Sequence, residues 1–404
     1  MLGPGQVPHS PTMSGATPSG DRPLSVDALV AGARTATGLQ ELGDAQAIEA
    51  LGVLVESIET EARPSAAGRR RMGAMLGDLL QQRLRMVDFA ATSDVVDYET
   101  VRSPIVVTGL PRTGTTMLAD LLAQDPFNRA LLGWQAATVA PPPTLADLGS
   151  DPRLREALAR DERRDGLVPD LPAKRALGAT RPTECVQLLA TSFASLSFET
   201  ILDVPGYAAW CDAADMIQPY RFHHLGLRTL QTTVPTERWS LKSPAHLWHL
   251  DALRAVYPDA RLIVTHRDPA KVVPSVASLC TTLRSMFSDA IDPEAVGRQW
   301  RARCHHALEV SAAHLADWDP ATVFHLPYAE LVDDPVGSIE RAYQRFGFDL
   351  CDLGRRRMAA WHEQHPRDRN GAHRYDASSF GLDEGALRRE FAGYMADHHV
   401  PSEL

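Results

Sequence analysis

The stretch Ile105-Val-Val-Thr-Gly-Leu-Pro-Arg-Thr-Gly-Thr-Thr116 constrains the fold more tightly than any other part of the chain. Its short apolar run, bounded by Pro104 and Gly109, suits a strand buried on both faces in a parallel sheet. The run passes directly into a Gly-x-x-x-x-Gly turn, Gly109 to Gly114, and then into Thr115 and Thr116 at the head of a further apolar segment. Glycines let the backbone turn tightly, so that successive N–H groups point into the turn, and the N-terminus of the following helix adds partial positive charge. Strand, turn and helix in this order make an anion-binding loop. A nucleoside-triphosphate loop of this shape carries Gly-Lys-Ser/Thr, with the lysine on the β/γ-phosphates and the hydroxyl on magnesium. Here Thr115 stands in the lysine position and the cation has moved forward to Arg112. Such a loop is ill suited to γ-phosphoryl transfer. It suits a shorter, metal-free, diphosphate-like group, onto two of whose oxygens Arg112 can fork.

The remaining chain alternates strand and helix signals. Arg261-Leu-Ile-Val-Thr265 and Thr322-Val-Phe-His-Leu326 are similar apolar runs, and Arg238-Trp-Ser-Leu241 is a weaker one. Each precedes a helix start: Ser243-Pro244 before Leu247, Leu250 and Leu253; Asp268-Pro269 before Val272, Val276 and Leu279; Asp334-Pro335 before Ile339, Tyr343 and Phe346. This alternation predicts an α/β fold, a P-loop-like parallel sheet flanked by helices on both faces. Upstream, 44–60 and 70–91 carry apolar residues at helical spacing, Ile48, Leu51, Val55 and Ile58 in the first and Met72, Leu76, Leu80 and Leu84 in the second. The second stripe suits a core or a dimer face, so a homo-oligomer is compatible with it. Residues 117–235 read as a mostly helical insertion rich in aromatic side chains.

One domain is therefore expected over 26–404, after a Gly-, Pro- and Ser-rich tail at 1–25 that reads as disordered. Within it, 26–98 form an N-terminal helical segment, 99–350 a nucleotide-binding core with the insertion, and 351–404 C-terminal helices or a cap. Translation from Met13 in place of Met1 is compatible with that tail. A net charge of −10 over 404 residues argues against a nucleic-acid partner. The five cysteines are scattered without a CxxC pair, which fits a reducing compartment and yields neither a disulfide framework nor a zinc site. No apolar stretch approaches the roughly 18 residues a spanning helix needs, and no signal pattern opens the chain. A cytoplasmic location is expected, with no more than peripheral membrane contact.

Leu110-Pro-Arg-Thr-Gly-Thr-Thr116 resembles the 5′-phosphosulfate loop of the cytosolic and bacterial sulfotransferases that use 3′-phosphoadenosine-5′-phosphosulfate (PAPS), where a Pro-Lys/Arg-Ser/Thr-Gly-Thr-Thr core is typical. A second segment, Val264 to Ser275, places Arg267 and Ser275 eight residues apart, just after a strand and into a helix, as in that family's 3′-phosphate signature. A dianionic phosphate there needs a bidentate cation at the strand end and a hydroxyl from the next helix. Pro274 should disturb that helix or delay its start. Trp239-Ser-Leu-Lys-Ser-Pro-Ala-His-Leu247 resembles the family's Lys-Ser/Thr…His stretch, with two more residues between Lys and His than in the cytosolic aryl enzymes. Length and this segment together look most like the actinobacterial-type branch.

The resemblance implies the following roles. Pro111, Arg112, Thr113, Gly114, Thr115 and Thr116 hold the donor's 5′-phosphosulfate, and Arg267 and Ser275 hold its 3′-phosphate. Lys242 contacts the sulfonate or its bridging oxygen, and Tyr328 contacts the adenine. Arg369 and Gly371 close over the 3′-phosphate. The reaction implied is in-line transfer of a sulfonyl group from PAPS to an acceptor hydroxyl without a metal, with Arg112, Lys242 and loop N–H groups stabilising the developing charge. For the general base, His246 ranks first by its intrinsic pKa range and Glu184 second; Gln135, beside Trp134, can orient an acceptor but not take its proton. The aromatic insertion points to a small-molecule, lipid or polyketide-like acceptor. The rival readings are a P-loop kinase-like phosphotransferase and a catalytically inactive nucleotide-binding partner protein.

Overall fold

A computed structural model describes residues 23–94, 96, 99–167, 171, 178–366 and 375–403. Five strands, β1 (Ile105–Gly109), β2 (Asn128–Ala130), β3 (Arg238–Lys242), β4 (Arg261–His266) and β5 (Val323–Pro327), form one wholly parallel sheet in the order β2-β3-β1-β4-β5. β1 lies at the centre, with Val106 opposite Leu241 on β3 and Leu262 on β4. Its chain leaves towards β2 on one side, whereas the chain leaving β4 goes to β5 on the other. The carboxyl ends of β1 and β4 thus flank the switch point where open parallel sheets form a crevice.

All five β1 residues are buried, as expected for a strand covered on both faces. Side chains alternate between the faces. Val106, Leu241, Leu262 and Val264 join the larger core, which includes Leu51, Leu54 and Ile58 of helix Gln46–Thr60 and Met72, Leu76, Leu80 and Leu84 of helix Ala66–Thr92. Ile105, Val107 and Ile263 face the other way, onto Leu118, Leu121 and Leu122 of helix Thr115–Leu122 and Ile339 and Tyr343 of helix Pro335–Phe346. Each such fully buried aliphatic side chain contributes roughly 1.5–3 kcal/mol.

The Met-bearing stripe belongs to the core. Fully buried Arg83 bonds the Leu42 and Thr191 carbonyls, Ser192 Oγ and Asp44, and lies over the Phe222 ring at 4.0 Å, tying the N-terminal helices to the insertion. A further helix, Val26–Thr37, precedes the two that periodicity revealed; Ser25 caps its start and Gly38, at φ +73°, ends it. The insertion is mostly helical, but it also supplies β2, whose three residues Asn-Arg-Ala carry no strand pattern.

Two local expectations need correction. The segment after Ser243 is not one helix: a 3₁₀ turn, Pro244–Trp248, is broken from helix Leu250–Val256 at His249. Conversely, Pro274 neither delays nor ends its helix, which runs from Pro269 to Arg284 with Asp268 accepting from the Ala270 N–H as its cap. Among the described residues no helix is long and apolar enough to cross a membrane.

Candidate active site

The loop after β1 is held by close packing at its two glycines. Gly109 has φ +140°, and a Cβ there would come within 2.3 Å of Thr265 Oγ1 and 2.4 Å of the Thr265 carbonyl oxygen. Gly114 has φ +93°, and its Cβ would meet Leu331 and Tyr328 at 2.9 Å. Between them Thr113, buried, donates to the Leu110 carbonyl at 2.6 Å and shares a hydrogen bond with Thr265 Oγ1, also at 2.6 Å. Thr265 Oγ1 in turn lies 3.1 Å from the Thr108 carbonyl. These hydroxyls clasp the end of β1 to the end of β4. Pro111 and Thr116 are half-buried and Thr115 is buried. Gly114 starts helix Thr115–Leu122 without a side-chain cap hydrogen bond, and a helix N-terminus of this kind favours an anion.

Arg112 adopts the left-handed conformation, φ +71°. This turns its side chain across the crevice, where Nε donates to Ser275 Oγ at 3.1 Å. Its carbonyl accepts from Arg267 Nη1 at 2.9 Å. The loop arginine and both members of the eight-apart pair therefore converge, although they come from different strand ends. Arg267 also lies over the Tyr328 ring, 4.1 Å from its centroid. Tyr328 thus sits beside the Arg267 guanidinium and against Gly114. Arg369 and Gly371 lie outside the described residues.

Lys242 ends β3, on the other side of β1, with its side chain 5% exposed. It donates to Glu184 Oε1 at 3.0 Å, and the Lys242 carbonyl accepts from the Cys185 N–H at 2.9 Å, which fixes the insertion beside the strand end. Glu184 keeps 18% of its side chain exposed. Three residues earlier, Arg181 pairs with Asp120 of the helix behind the loop. Burial pushes the Asp120 carboxyl up, against the pull of Arg181 and, more weakly, Lys242.

His246 is placed differently. The 3₁₀ turn carries it inward to full burial, where Nδ1 lies 2.6 Å from Tyr220 Oη and Nε2 has no hydrogen-bond partner among the described residues. Burial, and secondarily His249, push its pKa down to about 3, against the pull of Glu184, so the ring is neutral. Gln135 is also buried, and its Oε1 lacks a partner among the described residues.

For the C-terminal side of this site, sequence reasoning looked to Arg369 and Gly371 and did not single out Glu403 or Tyr375. Glu403 forms a bidentate pair with Arg267, both contacts at 2.8 Å. Tyr375 donates to the Lys271 carbonyl at 2.7 Å and lies near Arg267 and Arg112, whose charges oppose the upward push of burial on its hydroxyl. No local pattern marks either residue. Nearby, His266, His325 and His398 bring ring nitrogens within 4.8 Å of one another. The His266 and His398 rings stack at 3.9 Å and 11°, and His266 Nε2 lies 2.9 Å from His325 Nδ1. The His266 and His325 nitrogens are turned towards each other, and the stacked His398 ring packs the tail onto the sheet.

A parallel sheet with a glycine-bounded anion loop at its switch point, and arginines converging from two strand ends, defines a protein of the P-loop-like α/β class. The pattern of the Sulfotransferase family matches residues 104–352. The crystal structure of sulfotransferase STF9 from Mycobacterium avium superposes with a TM-score of 0.85 and 31% identity, covering 97% of this chain and 100% of that one. Sulfotransferase STF1 from Mycobacterium tuberculosis H37Rv gives a TM-score of 0.83 and 31% identity, covering 92% and 99%. The omega-hydroxy-beta-dihydromenaquinone-9 sulfotransferase Stf3 of Mycobacterium bovis is 23% identical over 315 residues, 74% of this chain and 76% of its own. The chain belongs to the sulfotransferase family.

Proposed function

We propose that this protein transfers the sulfonyl group of PAPS to a hydroxyl of a small, largely apolar acceptor of the lipid or quinone type, releasing adenosine 3′,5′-bisphosphate. The observation that carries this reading is the convergence of Arg112, Ser275 and Arg267 at the β1/β4 switch point, with Lys242 at the end of β3. A bisphosphate nucleotide offers anions to both places. Arg267 and Ser275 take its 3′-phosphate; Arg112, the residues Pro111 to Thr116 and the helix N-terminus take its 5′-phosphosulfate.

In-line attack by the acceptor oxygen on sulfur forms the new S–O bond as the bond to the bridging oxygen breaks. Charge builds on the leaving phosphate and the equatorial sulfonyl oxygens, where Arg112, Lys242 and the loop N–H groups stabilise it. The acceptor's proton goes to Glu184, which is partly exposed and stands beside Lys242. His246 is sealed beneath the site and hydrogen-bonded to Tyr220, so we assign it a positioning role in place of the base. The Stf3 relative, which acts on a hydroxylated menaquinone, supports a lipid-like acceptor, as does the aromatic insertion. Five cysteines scattered without a CxxC pair suit a cytoplasmic location.

The test has two parts. Thermal unfolding with adenosine 3′,5′-bisphosphate and no metal should shift upward, whereas Mg-ATP should not produce a comparable shift. Radiolabelled PAPS, offered with hydroxylated quinones and lipids, should then label a product. Stabilisation by Mg-ATP alone would favour a kinase; bisphosphate binding without transfer to any acceptor would favour an inactive partner protein.

A further inference from the structure

The Arg267 guanidinium is held on three sides. Nε and Nη2 donate to the two carboxylate oxygens of Glu403, Nη1 donates to the Arg112 carbonyl, and the face lies on Tyr328. The Nε/Nη2 edge is one on which a phosphate makes two parallel hydrogen bonds. A carboxylate and a phosphate cannot both take it.

We propose that Glu403 competes with the donor's 3′-phosphate for Arg267, so that binding exchanges one anion for the other and product release reverses the exchange. This inference rests on the reading of Arg267 as the 3′-phosphate site. The backbone around Glu403 is built to hold the carboxylate at that edge. The Glu403 N–H donates to Asp268 Oδ2 at 2.8 Å, and its carbonyl accepts from Arg388 Nη2 at 2.7 Å. Asp268, fully buried next to Arg267, also accepts from Arg388 Nε at 3.0 Å. Further up the tail, Val400 is buried and His398 stacks on His266, the residue before Arg267.

With the main chain tied at these points, only the Glu403 side chain has to swing away. Exchange therefore needs a change of rotamer without loss of the tail. A dianion outcompetes a monoanion for the arginine, so donor still binds, but more weakly than it would to an uncontested fork. Adenosine 3′,5′-bisphosphate carries the same 3′-phosphate. The returning carboxylate thus hastens its departure and limits product inhibition.

The experiment measures Kd on the full chain by titration with adenosine 3′,5′-bisphosphate, and with adenosine 5′-phosphate as the ligand lacking the contested group. If Glu403 holds the fork in most molecules, Glu403→Ala should tighten the bisphosphate by about 5- to 10-fold. Glu403→Gln should shift it in the same direction, and adenosine 5′-phosphate should change by less than about 2-fold. In an Arg267→Ala background the Glu403→Ala change should have no further effect. Unchanged or weaker bisphosphate binding in folded Glu403 variants would overturn the proposal and leave Glu403 as a support for Arg267. If Arg267→Ala alone binds bisphosphate as the wild type does, the 3′-phosphate assignment itself fails, whatever the Glu403 variants do.

Discussion

Arg112 Nε and Ser275 Oγ lie 3.1 Å apart, although 163 residues separate them in the chain. This contact bridges the switch point of the sheet, joining the loop after β1 to the helix after β4. It depends on the left-handed backbone of Arg112 and on a helix that runs unbroken through Pro274. The two halves of the proposed donor site are thus parts of one hydrogen-bonded unit.

Arg112→Ala removes the charged contact proposed for the donor and should cost about 1.5–3 kcal/mol of donor binding, roughly ten- to hundredfold in Kd. Ser275→Ala should weaken binding by less, about 1 kcal/mol, and leave kcat nearly unchanged. A Kd series with adenosine 3′,5′-bisphosphate measures both. Wild-type affinity in both variants would remove the donor site from this crevice.

Lys242→Ala and Glu184→Gln should each lower kcat by about 10²–10³-fold with a small effect on donor KM. His246→Asn should retain most of kcat and lose stability instead, because Tyr220 then meets an altered buried partner. A kcat loss in His246→Asn as deep as in Glu184→Gln, together with an acidic limb near the imidazole range of the wild-type pH–rate profile, would return the base role to the histidine.

Stability should fall as the pH drops from about 6.5 to 4. His246, at about 3, and His223, well below its ordinary value, are both pushed down mainly by burial. Over that window the unfolded chain takes up protons that these folded-state rings refuse. The His246 ring contributes a slope that approaches about 1.4 kcal/mol per pH unit once the unfolded ring is protonated, and His223 adds in the same direction, with stability rising as pH rises. Urea unfolding midpoints at several pH values check this, and a flat profile would contradict the two buried neutral rings.

Gly109→Ala should destabilise the protein by about 2–5 kcal/mol, combining overpacking against Thr265 with strain at φ +140°. It should also abolish donor binding in whatever protein remains folded. Chemical denaturation and bisphosphate titration read the two effects separately.

What the sequence disclosed was local. The β1 loop, the Asp-Pro helix starts and the Arg267/Ser275 spacing are encoded within a dozen residues each and appear where the pattern puts them, whereas Ser243-Pro244 opens a 3₁₀ turn and not the expected helix. The inward turn of His246 could not be read, because it depends on a break at His249 that no Gly or Pro announces. The pairs Arg267–Glu403 and Arg181–Asp120 span 136 and 61 residues, and only the packed fold brings them together. Asn128, Arg129 and Ala130 suffice for β2 because β3 supplies the hydrogen-bonding edge.

The part of the insertion that follows β2 leaves that strand and returns at β3, its neighbour in the sheet. Its ends are therefore anchored side by side, and its length does not disturb the registers of β1 and β4. One partner of the Lys242–Glu184 pair is fixed in the sheet while the other rides on this wall. With the proposed acceptor lying against this wall and Glu184 as the proposed base, exchanging the wall should change the acceptor, provided that a carboxylate is returned to the same strand end.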